Sequence, residues 1–212
     1  MNDLPAKPIV YLITKGEADT ANFTHKKKEI LQVIRVAVES GVSLIQIREK
    51  NLTAHSLFEL TESVSEITRT SGTKLLVNDR ADIALAAGAD GVHLPAAGLA
   101  ADIVRKNFPP RFLIGVSTHS TAEASAAESN GADFVTFGPV FQSPGKGEPQ
   151  GLARLNDVCK SLDACPVIAL GGIDESNFAE VLKNGASGFA AIRFLNDENN
   201  LRKFLRLIGG NL

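Results

Sequence analysis

The sequence predicts an α/β fold, a single (β/α)8 TIM barrel formed by residues 1–212. Three observations lead there. Short β-branched and aliphatic runs recur about eight times, helical patterns separate them, and the runs are continuously apolar, as parallel strands covered on both faces must be. A doubly wound open sheet shares these features, but it calls for a G-x-G-x-x-G fingerprint after the first strand, where this chain reads YLITKGEAD.

In chain order the expected strands are PIVYLIT, SLIQIRE, KLLVND, DGVHLP, FLIGVST, DFVTFGPV, PVIALGG and GFAAIRF. Between them, KKKEILQVIRVAVESG, AHSLFELTESVSEITRTSG, AEASAAESNGA and ESNFAEVLKNGA carry apolar residues at three- and four-residue steps and stop at Gly, which marks helices. One device, a helix ending in Gly and running straight into a strand, recurs near Gly41, Gly88, Gly131 and Gly185 as a quasi-repeat of one βα unit. No Ser/Gly linker or like-charge block divides the chain, and the Gly- and Pro-rich stretch Phe141 to Gly151, FQSPGKGEPQG, reads as a mobile lid.

Composition narrows the function classes. Hydrophobic residues make up 44% of the chain, enough for a sizeable core, yet no apolar run is long enough to span a bilayer. A net charge of −2 lacks the basic surplus that broad attraction to nucleic acid or anionic membrane requires, so an anionic ligand must be caught locally. Cys159 and Cys165 are too few and too irregularly placed for a disulfide framework or a zinc site. The start, MNDLPAKPIVYLIT, has no signal-peptide pattern, and a cytoplasmic address is the expectation. A homo-oligomer is left open.

In a barrel the C-terminal strand ends form the catalytic face, and here they are polar. Strand two delivers Gln46, Arg48 and Lys50, whose alternation turns them to the barrel mouth while Ile47 and Glu49 face the helices. Two cations and an amide on one side suit a polyphosphate; the competing reading is a solvated strand end with Arg48 and Lys50 paired to Glu49 or a helix acid. Strand three supplies Asn78 and Asp79. Asp79 is read either as the N-cap of the next helix or as an oxygen ligand for Mg²⁺. Strand five ends in Ser117, Thr118 and His119, and the following unit adds Ser143 and Lys146. His119, beside two hydroxyls, suits proton transfer, whereas His93 in DGVHLP reads equally as a structural histidine; His25 and His55 read as surface residues. Gly171 and Gly172, before a helix-like segment, permit close approach of backbone N–H groups to an anion, although a tight turn needs such glycines too. Arg193 near the end of strand eight adds charge to the same pocket or reaches outward to carboxylates.

The ordered run of Q-x-R-E-K, VNDRADIALAAGADGVHL, IGVSTHS, GADFVTFGPVF and PVIALGGI resembles the thiamine phosphate synthase family, with its paralogue the thiazole tautomerase, from about Tyr11 to Phe194. The resemblance implies a (β/α)8 barrel and a transferase of thiamine biosynthesis. Such an enzyme joins 4-amino-5-hydroxymethyl-2-methylpyrimidine diphosphate to thiazole phosphate and releases pyrophosphate. It further implies Gln46, Arg48, Lys50 and Asn78 on the pyrimidine diphosphate, Asp79 on Mg²⁺, and Ser117, Ser143 and Lys146 around the leaving group. Gly172 with the strand-eight loop would hold the thiazole phosphate. Three departures stand out. Synthases read HLGQ and then an Asp as second metal ligand, where this chain has HLPAAGL and Gly98; the T-x-T-K loop becomes Gln142-Ser143-Pro144-Gly145-Lys146; and Arg193 stands where the family has a phosphate-binding Ser. The HLP variant is closer to the tautomerase branch, which needs no Mg²⁺ and would use His119 as general acid and base. A third reading is a non-catalytic barrel that binds thiazole phosphate.

Overall fold

The computed structural model describes residues 4, 5 and 8–209, the last five of these by backbone alone. The expectations for residues 1–3, 6, 7 and 210–212 lie outside the described residues. Eight parallel strands close in sequence order: β1 Ile9–Ile13, β2 Leu44–Ile47, β3 Lys74–Asn78, β4 Gly91–Leu94, β5 Leu113–Thr118, β6 Phe134–Phe137, β7 Val167–Leu170 and β8 Gly188–Ala191. Pairing of Ile9 with Gly188 and of Leu12 with Ala191 joins the last strand to the first. Around them run α1 Phe23–Glu39, α2 Ala54–Thr68, α3 Ala81–Ala86, α4 Ala101–Asn107, α5 Thr121–Ser129, α6 Gly151–Ser161, α7 Phe178–Lys183 and α8 Glu198–Gly209, with a 3-10 turn Phe194–Asn196 between β8 and α8. The barrel thus matches the expected fold, and all eight strand segments fall where the apolar runs place them.

Strand alternation sorts the apolar residues into two cores. Ile9, Tyr11, Ile13, Leu44, Leu76, Leu113, Phe134, Ile168 and Ala190 pack together inside the barrel. The intervening strand positions, among them Val10, Leu12, Ile45, Ile47 and Val77, meet the helices in a larger outer core. Gln46, buried among apolar side chains, belongs to the inward set.

The quasi-repeat has one physical cause. Gly41, Gly88, Gly131 and Gly185 all have φ between 73° and 95°. Each N–H bonds the carbonyl three residues back, and the following N–H reaches five back, as in Gly41 to Val38 and Val42 to Ala37. This is the Schellman closure, which needs a left-handed residue that Gly adopts without a Cβ penalty. It satisfies the last helix carbonyls and aims the chain directly into the next strand. Among the described residues no helix is long and apolar enough to cross a membrane.

Candidate active site

A cavity of about 830 Å³ opens at the C-terminal strand ends, within the size range of small-molecule sites. Its lining includes Gln46, Arg48, Lys50, Asn78, His93, Ser117, His119, Ser143, Lys146, Gly171, Gly172 and Arg193. Every catalytic or substrate-binding candidate named from the sequence therefore shares one concave surface. His25 and His55 are exposed, and His25 sits 3.0 Å from Glu29.

The end of β2 behaves as alternation requires. Gln46, Arg48 and Lys50 line the cavity, while Ile47 packs outward. Glu49 is buried and turned the other way, its two carboxylate oxygens accepting from the N–H groups of Gly16 at 3.0 Å and Ala18 at 2.8 Å. It is thus committed to the β1–α1 loop, which rules out pairing with the neighbouring cations. Among the described residues no salt bridge engages Arg48, Lys50, Lys146 or Arg193. Four cations without carboxylate partners on one cavity, Arg48 half-buried and the other three exposed, favour an anion there.

Asp79 departs from the helix-cap reading. The N-cap position of α3 is Arg80, and no side-chain cap bond is made there. Asp79 has φ 64°, the only positive φ at a non-Gly position among the described residues, and its N–H bonds the His93 carbonyl at 2.9 Å. A left-handed Asp costs of order 1 kcal/mol and persists where its surroundings impose it. The exposed carboxylate lies at the rim beside the Pro95–Gly98 turn; a Cβ placed on Gly98 would stand 3.3 Å from Asp79 Oδ1 and 2.9 Å from Pro95 Cδ. The position opposite Asp79 is therefore Gly98, and Pro95 crowds any side chain built there. Among the described residues no three His, Cys, Asp or Glu gather as a metal-holding group.

The glycine pair also differs from the expectation of a helix start. The helix α7 begins only at Phe178, after a turn in which Asp174 and Asn177 bond each other's backbone neighbourhood, with Asp174 N–H donating to Asn177 Oδ1 at 3.0 Å. Gly171 and Gly172 have φ 103° and 66°, and a Cβ on either would collide with Pro139, Phe141 or the Gln142 carbonyl. Their smallness seats the β6–α6 loop, which is sewn to them by Val140 N–H to Leu170 O at 2.8 Å and Phe141 N–H to Gly171 O at 3.0 Å. Arg193, in the turn after β8, lines the cavity, so the outward-reaching alternative does not hold.

His119 is exposed and donates from Nδ1 to the Gly138 carbonyl at 2.6 Å, since a carbonyl only accepts. In the neutral ring Nε2 then carries the lone pair. His93 is buried between Tyr11 and Ser117, and burial first, then the Arg48 charge, pushes its pKa down to about 3. Thr118 is occupied structurally, its hydroxyl donating to Thr136 O at 3.0 Å.

Two contributors escaped the sequence reading. Tyr11, within the apolar run IVYLI, carries the buried hydroxyl between Gln46 and His93. Gly115 leaves the space that the His93 and Phe134 rings fill, a Cβ there lying 2.7 Å from His93 Nδ1. A glycine inside a strand was the available signal for the second.

A sequence profile described as thiamine monophosphate synthase matches residues 10–195. The chain belongs to the thiamine monophosphate synthase family. A Geobacter sulfurreducens member is 47% identical over 168 residues, covering 78% of each chain. The thiamine-phosphate synthase of Roseiflexus castenholzii is 36% identical over 187 residues, 87% of this chain and 79% of its own. The solved thiamine phosphate pyrophosphorylase from Pyrococcus furiosus superposes with a TM-score of 0.79 at 31% identity, over 94% of this chain and 96% of its own. Membership in the thiamine monophosphate synthase family agrees with the barrel, the mouth cavity and the expected enzyme class.

Proposed function

We propose that this enzyme joins 4-amino-5-hydroxymethyl-2-methylpyrimidine diphosphate to thiazole phosphate and releases pyrophosphate. The carrying observation is the set of cations that different strand ends bring to one cavity, with the carboxylate of Glu49 turned away to the β1–α1 loop. When the diphosphate departs, negative charge grows on its oxygens, and fixed cations aimed there lower the barrier without a protein nucleophile. Arg48 and Lys50 clamp the diphosphate, Lys146 and Ser143 meet it from the β6–α6 loop, and Asn78 and Gln46 orient the pyrimidine end. Gly172 and Arg193 lie across the cavity, suited to the phosphate of the second substrate. Bringing the thiazole nitrogen against the pyrimidine methylene then makes capture effectively unimolecular.

Asp79, as a lone rim carboxylate, would hold a Mg²⁺ together with the substrate diphosphate, because Mg²⁺ needs only one or two carboxylates in such sites. When bound, the ion neutralises charge on the leaving group. Gly98 offers no second carboxylate, so the protein alone would hold the ion weakly.

Incubating the protein with both substrates and Mg²⁺ tests this reading: stoichiometric pyrophosphate release with thiamine phosphate formation is the expected result, and absence of pyrophosphate refutes it. A second reading, tautomerisation of a carboxythiazole phosphate, is favoured by one observation, the free Nε2 lone pair of His119 at the cavity. Under the synthase reading Arg48→Ala abolishes coupling; under the tautomerase reading it spares proton exchange at the thiazole and His119→Ala abolishes that exchange, and equal loss in both assays contradicts this division.

A further inference from the structure

Beneath the cations lies a chain of buried hydrogen bonds that crosses the barrel from β2 to β5. Gln46 Nε2 donates to Tyr11 Oη at 2.7 Å, Tyr11 Oη lies 3.2 Å from His93 Nδ1, and His93 Nε2 lies 2.9 Å from Ser117 Oγ. Tyr11 is 0% exposed, Gln46 1% and His93 3%. Phe134 packs edge-on against the phenol, with centroids 5.7 Å apart, and tilts against the imidazole at 5.9 Å. No buried side-chain nitrogen or oxygen lacks a partner among the described residues.

Counting protons gives the chain a direction. A phenol has one proton; its oxygen already accepts from Gln46, so the proton goes to His93 Nδ1. The imidazole is enclosed by Tyr11, Phe134 and Ser117, and a ring whose Nδ1 accepts the phenol proton is neutral and carries a single N–H. With Nδ1 accepting, that N–H is on Nε2 and donates to Ser117 Oγ. The Ser117 oxygen is thereby an acceptor within the protein, and its own proton is left for the cavity that Ser117 lines.

We infer that Tyr11 and His93 are positioning residues that fix the Ser117 hydroxyl as an obligate hydrogen-bond donor to an anionic oxygen of the bound diphosphate. The ligand half of this inference rests on the synthase reading above. A serine 2.9 Å from a histidine otherwise has the spacing of a nucleophile and its base. Here Nε2 already carries its proton and cannot take the serine's, so the pair stabilises charge and does not generate an alkoxide. A donor held by a buried network needs no reorientation as charge develops on its partner, which is what electrostatic preorganisation requires.

The test has two arms. In ¹⁵N-histidine-labelled full-length protein, long-range ¹H–¹⁵N spectra report the tautomer of each of the four histidines, with His93→Gln for assignment. The expected signature for His93 is Nε2–H with a bare Nδ1, and loss of that preference in Tyr11→Phe. An Nδ1–H tautomer in the wild type means that the chain runs from serine to glutamine and overturns the inference; this arm needs no activity. The second arm measures inorganic pyrophosphate binding with Mg²⁺, and kcat and KM. Ser117→Ala should cost about 100-fold in kcat, Tyr11→Phe about tenfold with little change in KM, and the double variant no more than Ser117→Ala alone. Multiplying effects overturn the relay. Failure of the wild type to bind pyrophosphate refutes the diphosphate reading and the ligand half with it, while the tautomer spectra still judge the relay.

Discussion

Glu49→Gln separates the structural member of the Gln46–Lys50 run from its cavity-lining neighbours. In the native protein each Glu49 oxygen accepts from one loop N–H, Gly16 at 3.0 Å and Ala18 at 2.8 Å, and the residue is 4% exposed. The amide keeps one acceptor and turns the other into an N–H group facing an N–H group. One charge-assisted bond is lost and the other falls to neutral strength, a combined cost of about 2 to 4 kcal/mol. Equilibrium urea unfolding reads this directly: with a slope of about 2 kcal/mol per molar, the midpoint should fall by roughly 1 to 2 M. Lys50→Ala, one residue further on, removes an exposed side chain with no salt bridge and should move stability by less than about 0.5 kcal/mol. Equal midpoints for the two variants would refute the reasoning, because Glu49 would then be a surface charge among others.

Two further outcomes follow from the rim. Gly98→Asp alone should be poorly tolerated because its Cβ meets Pro95 Cδ at 2.9 Å, whereas Pro95→Gly/Gly98→Asp should fold and bind divalent metal at least about tenfold more tightly, read by Mn²⁺ electron paramagnetic resonance; unchanged metal affinity in a folded double variant contradicts the placement opposite Asp79. His93 is held neutral to about pH 3 in the folded chain but takes up a proton near pH 6.5 when unfolded, so stability falls as pH drops below about 6.5 and keeps falling to about 3. In metal-free buffer that amounts to about 2 kcal/mol lost between pH 7 and 5, and His93→Gln should lack this component of the acid limb; parallel pH profiles for the two proteins would show that His93 protonates freely in the fold.

Much of this could be read from the chain because the information is local. Apolar runs of four to six residues place all eight strands, and period-two alternation alone puts Gln46, Arg48 and Lys50 together at the mouth. What could not be read depends on pairings across the barrel. Tyr11 and His93 are 82 residues apart, and nothing in IVYLI marks its tyrosine as the hinge of a polar chain. Asp79 looks like a cap because Asp before a helix usually is one; its left-handed backbone comes from the bond to the His93 carbonyl on the next strand. Glycines after β7 suggest anion contact, yet the same smallness is needed for the neighbouring loop to lie against them, and only the three-dimensional arrangement shows that second use.

That backbone seam between β7 and the β6–α6 loop divides the loop into two zones with different freedom to change. Its stems, fixed at Val140 and Phe141 on one side and at Gln150 and Gly151 on the other, cannot shift without pulling the neighbouring strand end. The tip between them, exposed from Pro144 to Pro149 and carrying Lys146, has no such tether to the barrel. Insertions, deletions and exchanged residues should therefore accumulate in the tip during divergence, while the stems beside β7 stay in place. The barrel thus confines evolutionary experiment at its mouth to a segment it can lose or lengthen without refolding.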